Sequence, residues 1–415
     1  MDSTLMVNKV LNLDKTSWKL TKVGDLAKDI SKRVDNPGES EYDRFVSLRN
    51  FVAGDIKIKT WEPTENLASS AKAFKAGDIL FARRNAYLRR ASLVDFDGCC
   101  SGDAFVLREN HDKIVPGFLT FLMNSNALWD YANSNAAGTM SKRVKWRDLA
   151  EYEFLLPPKD QQAQLSKLLW AMDELIEIEN QLIQAVNIAG EVKLKDIFLS
   201  EGDKDVKDSK LGPINKNWKC IRLEKLIEEK YIVSHLDGNH GSYYPRNDEF
   251  VEEGVPYISA NCIEDDGISL KNAKYLTNER ADTITKGIAQ NGDILLAHNA
   301  TVGPVCMLST DLDRIILSTT LTYYRVDEQK INPKFLFYFM KSRLFQVQLE
   351  RVMSQSTRNQ VPITTQRTLY FIIPPIEVQD KLIEKLESIS DTRKKVELKE
   401  VSSKFLLKSI INQIF

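Results

Sequence analysis

The feature that most constrains this chain is that it repeats itself. Ser101 returns as Ser318, Arg108 as Arg325, Pro116 as Pro333, Phe118-Leu119 as Phe335-Leu336 and Met123 as Met340. Ser125 returns as Ser342, Val144 as Val361, Phe154 as Phe371, Pro157-Pro158 as Pro374-Pro375 and Gln162 as Gln379, all 217 residues on and without a gap. Such a repeat requires the two halves to fold as two copies of one unit. Upstream, GDIL at Gly77 to Leu80 recurs at Gly292 to Leu295, and a Trp-Lys pair opens each half at Trp18 and Trp218. The spacing shrinks toward the start, so the second copy carries extra loop early on. A chain of 415 residues also exceeds a single core, which agrees with two domains or more.

Within each copy the early part mixes short β-rich runs with helical patches. The runs are Asp78 to Phe81 and Ala104 to Leu107, then Ile294 to Leu296 and Thr322 to Val326. After the double proline the apolar period changes from about 2 to about 3.5. Leu165, Leu168, Met172, Leu175, Leu182 and Val186 make one seam, and Leu382, Leu386, Ile389, Val396 and Phe405 make the other. Proline presets the first helical dihedral and suits the entry to each helix. An apolar seam needs a partner in water, and the chain supplies one matching helix per half. The first helix, Asp160 to Phe198, is roughly 58 Å long at 1.5 Å per residue, too long to pack only on its own domain.

Direction follows from the linker. The polar stretch LSEGDKDVKDSKLGPINK reaches at most roughly 60 Å fully extended. A parallel pair would stretch it along almost the whole helix, whereas an antiparallel pair asks for almost nothing. The expected fold is therefore α+β: two similar mixed domains at 1–156 and 217–373, a long central helix at 157–200, a linker at 201–216 and a C-terminal long helix at 374–415. The helices are expected to form an antiparallel coiled coil, with an approximate two-fold relation between the heads at its ends.

Lys and Arg total 57 against 58 Asp and Glu, a net charge of -1, so a globally basic nucleic-acid coat is excluded and a polyanion must be met by local patches. The five cysteines, Cys99, Cys100, Cys220, Cys262 and Cys306, are odd in number and lack a CxxC pair, which fits a reducing cytoplasm. No apolar run approaches the roughly 18 residues of a membrane span, and the opening residues lack a signal-peptide core, so a soluble, untargeted protein without membrane association is expected.

Two similar heads on a measuring rod suit a long target with a repeat length, and one turn of duplex DNA is about 34 Å. A generic protein-binding scaffold has the same architecture, so local chemistry must decide. After GDIL the first copy reads ARRNAYLRR, placing Arg83, Arg84, Arg89 and Arg90 around Asn85 and Tyr87. A second window, SKRVKWR, holds Lys142, Arg143, Lys145 and Arg147 beside Trp146. Clusters of this kind suit phosphate pairing and bidentate guanine contacts, although a charge run is also commonly a solvated face. The second window aligns with RNQVPIT, where Arg358, Asn359 and Gln360 are again groups that read base edges. In the second copy GDIL is followed by His298, Asn299 and Thr301, and an insert carries His235, Asn239, His240, Tyr243 and Arg246. Two histidines without a nearby cysteine make a poor zinc site, so no metal is expected and a DNA-facing loop is favoured over a plain surface loop.

GDIL in each copy, LLPPKDQQAQLSKLL and IIPPIEVQDKLIEKL leading the two helices, and the duplication itself resemble the specificity subunit of type I restriction-modification systems along essentially the whole chain. The resemblance implies that each globular domain is a target-recognition domain reading one half of a bipartite, asymmetric site on double-stranded DNA. It implies that the helices space the domains and dock two methyltransferase (modification) subunits, with motor-nuclease (restriction) subunits completing the complex in a prokaryotic cytoplasm. The family's Glu-Gln after the double proline is here Gln161-Gln162 and Val378-Gln379, so only the glutamine is kept in both copies.

An enzyme is not expected. The chain has no GxxxxGK[ST] phosphate loop, no Asn/Asp-Pro-Pro-Tyr/Phe and no glycine-rich cofactor loop. No cofactor is expected on this chain, with S-adenosylmethionine, ATP and Mg2+ belonging to the partner subunits that the resemblance implies. The competing reading is a non-catalytic coiled-coil scaffold or regulator that binds protein partners alone.

Overall fold

The computed structural model describes residues 11–67, 69–138, 141–199, 205–238, 244–264, 267–354 and 359–415. The chain divides into two units, 1–182 together with 396–415, and 183–395. Each long helix therefore begins in one unit and ends in the other.

In the first unit a four-stranded antiparallel sheet is built from β1 (Ala27–Asp29), β2 (Ile79–Ala82), β3 (Ala91–Leu93) and β4 (Ala104–Glu109), in the order β1-β4-β2-β3. The second unit repeats it with β5 (Ile232–Asp237), β6 (Ile294–Asn299), β7 (Thr301–Met307) and β8 (Leu321–Val326), in the order β5-β8-β6-β7.

The recurring GDIL has a local physical cause. Gly77 and Gly292 hold φ of 89° and 86°, a left-handed turn conformation that a side chain disfavours. The following aspartate closes the turn, Asp78 accepting from the Lys75 N–H at 2.8 Å and Asp293 from the Gln290 N–H at 2.8 Å. The same carboxylates receive a two-pronged arginine from the neighbouring strand. Arg108 Nε and Nη2 donate to Asp78 at 2.7 Å each, and Arg325 Nε and Nη2 donate to Asp293 at 2.8 and 2.7 Å. Both carboxylates are almost wholly buried, where a bidentate charged pair is strong and also fixes geometry. The Ile-Leu pair then enters the sheet with both side chains buried, one on each face.

A second, five-stranded sheet accompanies the first in each unit. It contains one parallel pair, Arg44–Val46 beside Gly98–Cys100 in the first unit and Val255–Ile258 beside Ile315–Leu317 in the second. Cys99 and Cys100 thus occupy the positions of Ile316 and Leu317 and act as buried apolar residues. Burial pushes their thiols up to about 11 and about 12, far from reactive.

The strand opening each unit pairs with the one that runs into the double proline, Lys19–Lys22 with Glu153–Leu156 and Lys219–Arg222 with Tyr370–Ile373. There the two long helices start: α1 (Lys159–Phe198) and α2 (Ile376–Ile414). The retained glutamine explains itself at these starts. Gln162 accepts from the Val115 N–H at 2.9 Å and donates to the Pro157 carbonyl at 2.8 Å. Gln379 accepts from the Asn332 N–H at 2.9 Å and donates to Pro374 at 2.8 Å and Lys330 at 3.1 Å. A buried amide offers a donor and an acceptor at once, which the neighbouring acid position of the family motif does not replace.

In the first unit Leu165, Leu169 and Ile176 near the start of α1 share an apolar cluster with Leu407, Ile410, Ile411 and Ile414 at the end of α2. In the second unit Leu194, Ile197 and Phe198 near the end of α1 share one with Ile383, Leu386 and Ile389 near the start of α2. Start meets end in both units, so the pair is antiparallel.

The expected seams need correction in phase. Leu165, Met172, Leu382, Leu386 and Ile389 pack on the clusters, and Val186 and Val396 are half-buried. Leu168, Leu175, Leu182 and Phe405, however, are 38, 42, 47 and 59% exposed. Helix α1 carries two interleaved stripes of the same heptad spacing. Packing buries the one through Leu169 and Ile176, one residue along from the stripe through Leu168, Leu175 and Leu182.

The segment between the domains is not featureless either. Val206–Lys207 pairs with Ile214–Asn215, and Leu211 packs against the second unit's core.

Candidate nucleic-acid interface

The two basic windows of the first unit, about sixty residues apart in sequence, meet in space. The chain leaving β2 crosses the segment at 142–144 as a short antiparallel bridge between Arg84 and Arg143. Asn85 N–H donates to the Lys142 carbonyl at 2.9 Å, and Val144 N–H donates to the Arg83 carbonyl at 2.9 Å. Residues directly opposite in such a bridge put their side chains on one face, about 5 Å apart at Cβ.

The second unit builds the same tip at the equivalent residues. Asn299 bridges Gln360, Ala300 N–H donates to the Asn359 carbonyl at 3.0 Å, and Val361 N–H donates to the His298 carbonyl at 2.8 Å. Even the backbone twist is copied, since Asn85 has φ of 55° and Ala300 of 64°, a left-handed conformation unusual for alanine.

Different groups hold the two tips. In the first unit Asp103 lies between the arginines, its carboxylate accepting from Arg143 Nε at 3.0 Å and from Arg84 Nη1 at 3.3 Å. Arg84 Nε also donates to the Ser141 hydroxyl at 2.7 Å. Burial alone would raise the Asp103 carboxyl, but hydrogen bonds and charge from Arg143 and Arg84 outweigh it and hold the group below its usual range.

In the second unit Gln366, fully buried, does the holding. It donates to the Val361 carbonyl at 2.9 Å and the Thr322 hydroxyl at 3.0 Å, and accepts from the Tyr324 hydroxyl at 2.7 Å. Thr320 occupies the place of Asp103, and its hydroxyl accepts from the Ala260 N–H at 2.9 Å.

The remaining expected residues divide by environment. Lys142, Lys145, Arg147, Arg246, Thr301 and Asn359 are exposed, and Asn299 and Gln360 are half-buried at the tip. The Arg83 guanidinium lies 5.4 Å over the Phe105 ring. Arg89 is tied to Asn126 at 2.9 Å and Asp130 at 2.6 Å, and Arg90 donates to the Leu48 carbonyl at 2.8 Å, so both brace the first domain. Tyr87, 68% exposed, lines a cavity of about 460 Å³ with Val52, Leu88, Trp129, Ile176 and Phe405.

Two histidines require correction, because the structure places them inside the domain and not on its surface. His235 is 5% exposed, its ring lies 4.6 Å from that of Tyr324 at a tilt of 51°, and it bonds Gln366 Oε1 at 3.1 Å; burial lowers its pKa to about 4. His298 is 4% exposed, at the end of β6. His235 lies on β5 against Gln366, and β6 is buried on both faces from Ile294 to His298, an environment that the polar-aromatic composition of the segment concealed. Asn239, His240, Tyr243 and Arg358 lie outside the described residues. Among the described residues no cluster of His, Cys, Asp and Glu is arranged to hold a metal ion, and no helix is long and apolar enough to cross a membrane.

Sequence reasoning missed Asp103, Gln366 and Thr320. Their one signal was the repeat itself, which aligns Asp103 with Thr320.

The fold and the paired tips define a protein made of two copies of one recognition domain, each followed by a long helix of the antiparallel pair. The chain belongs to the type I restriction modification DNA specificity domain family, whose model matches residues 16–187 and 215–401. It is similar to the type I restriction enzyme MjaVIII specificity subunit of Methanocaldococcus jannaschii, 23% identical over 402 residues that cover 90% of this chain and 86% of that protein. The EcoDI specificity subunit of Escherichia coli is 26% identical over 195 residues, covering 45% of this chain and 43% of that one. Among solved structures, a chain from work on complex assembly and conformational transition of the type I R-M system matches with a TM-score of 0.62 at 20% identity, covering 96% of this chain and 97% of that one. The type I restriction-modification S subunit from M. genitalium matches with a TM-score of 0.54 at 14% identity, covering 98% of both. At these identities the structures bear on the fold alone, and they agree with it.

Proposed function

We propose that each unit reads one half of a bipartite, asymmetric DNA site, that the helix pair sets the spacer between the halves, and that the chain itself catalyses nothing. The observation carrying this reading is the duplicated tip: one backbone construction, displayed twice, with different polar side chains. Two copies of a reader that have kept the frame and changed the contacts suit a target whose halves differ.

The exposed apolar stripe supplies the second part. In the first unit Leu168, Leu175, Ile178 and Leu182 of α1 and Leu398, Val401, Phe405 and Leu406 of α2 are all more than a third exposed. Apolar surface of that extent on a helix pair marks a protein contact. We assign it to one of two modification subunits, which would bring S-adenosylmethionine, with ATP and Mg2+ belonging to motor-nuclease subunits in a prokaryotic cytoplasm. A scaffold that binds protein alone leaves the tips without a role.

The test is methylation mapping of the host genome with and without this chain. The expected result is loss of one two-block motif with a fixed gap. Survival of every motif, or binding of the assembled complex to all duplexes equally, refutes the reading. Phe405→Glu should separately abolish assembly with the modification subunits while leaving the chain folded.

A further inference from the structure

The two tips share a backbone and differ in chemistry, and that difference has a reading. We infer that Arg143, with Arg84 beside it and Asp103 anchoring both, reads guanine in one half-site, and that Asn299 and Gln360 at the matching place in the second unit read adenine in the other. This deepens the proposed DNA-reading role and rests on it.

Three observations carry the assignment. The first is donor geometry. Guanine offers two acceptors in the major groove, O6 and N7, which a guanidinium fork matches; adenine offers an acceptor and a donor, which only an amide matches bidentately. Asp103 takes Arg143 by its Nε alone, and both Nη atoms of Arg143 make no hydrogen bond among the described residues. The side chain is 42% exposed, so an intact two-donor edge faces outward from a fixed anchor. Anchoring lowers the ordering entropy of a long side chain at the moment of binding.

The second observation decides between base and backbone. Phosphate is the same in every half-site, so a phosphate clamp retained through duplication should keep its charge in both copies. Here the copied positions pass from two arginines and a carboxylate to two amides and a hydroxyl, Asn299, Gln360 and Thr320. The charge is not kept, while the hydrogen-bonded frame is. Contacts that change on a constant frame are the ones that read sequence.

The third is that the carboxylate follows the arginines. Asp103 is present where two guanidiniums must be held apart and aimed, and absent where the readers are neutral. Gln366 steadies the second tip from beneath through the Val361 carbonyl instead. Asp103 is thus a positioning residue.

The experiment is selection of preferred targets from a random duplex library by the full chain assembled with its modification subunits. The wild-type complex should yield a guanine at one position of one block and an adenine at one position of the other. Arg143→Lys keeps the charge but loses the fork. It should reduce discrimination at the guanine position by roughly 5- to 150-fold, with the salt dependence of binding and the other block unchanged. Arg143→Gln should move that position toward adenine, and Asp103→Asn should broaden it without erasing it. Gln360→Ala should relax one position of the other block alone. A bipartite site whose blocks are unmoved by Arg143→Lys and Gln360→Ala, or uniformly weaker binding at every position, overturns the base assignment and leaves the two-part reading standing. A wild-type complex that selects no sequence overturns both.

Discussion

Leu169→Ala and Leu168→Ala, neighbours in sequence, separate the two apolar stripes of α1. Leu169 is 0% exposed within the cluster it shares with the end of α2, and Leu168 is 38% exposed. Truncating the buried leucine removes about 2 to 3 kcal/mol of transfer energy and leaves a cavity, so about 3 kcal/mol of destabilisation is expected. Truncating its neighbour removes partly solvated atoms and leaves no cavity, which amounts to about 1 kcal/mol or less. Trp18, Trp61, Trp129, Trp146 and Trp170 lie in the first unit and only Trp218 in the second, so tryptophan emission reports chiefly on the unit that holds the mutation. In urea, with a slope of about 2 to 3 kcal/mol per molar, Leu169→Ala should shift the midpoint by about 1 M and Leu168→Ala by a few tenths. The order should reverse for assembly: Leu168→Ala should weaken capture of the modification subunit more than its small stability change accounts for. A midpoint shift for Leu168→Ala equal to or larger than that for Leu169→Ala refutes the assignment of the buried stripe.

Two further outcomes follow from the domain interiors. His235 is held neutral by burial, with a folded pKa of about 4 against 6.5 when unfolded. Between those values the unfolded chain binds the extra proton, so stability of the second unit should fall as pH drops from 6.5 to 4, by at most about 3 kcal/mol. His235→Gln should flatten that slope in a pH series of thermal unfolding, and an unchanged slope would assign it to other groups. Gln162→Ala and Gln379→Ala should each destabilise their own unit by about 2 to 3 kcal/mol, because each removes the partner of at least two backbone groups, one of them buried; calorimetry showing less than about 1 kcal/mol for either would remove the glutamine's bracing role.

Much of this architecture was legible in the residue order. Duplication preserves chemistry at equal spacing, so GDIL, the double prolines and Gln162 with Gln379 announce two copies of one fold. Each is explained by a local requirement: a left-handed glycine, a carboxylate that closes a turn and takes an arginine, an amide that donates and accepts. The change of period after the prolines announced the helices for the same reason, since amphipathic spacing is a property of neighbours along the chain. The alignment of the 142–147 window with RNQVPIT was legible too, but not that the 83–90 and 142–147 windows join in one tip.

Other features came from contacts between residues far apart in sequence. Helix α1 offers Leu168 and Leu169, Leu175 and Ile176, as equally good seam positions, and only the facing side chains of α2 distinguish them. His235 and His298 read as surface groups in a polar, aromatic stretch, yet both are buried, and His235 is held there by a hydrogen bond to Gln366 from 131 residues away. Asp103 carried no pattern of its own, because its role depends on two arginines that reach it from either side, Arg84 and Arg143. Periodicity and turn chemistry are local and survive in one dimension. Burial, and the company a charged group keeps, are decided where distant segments meet.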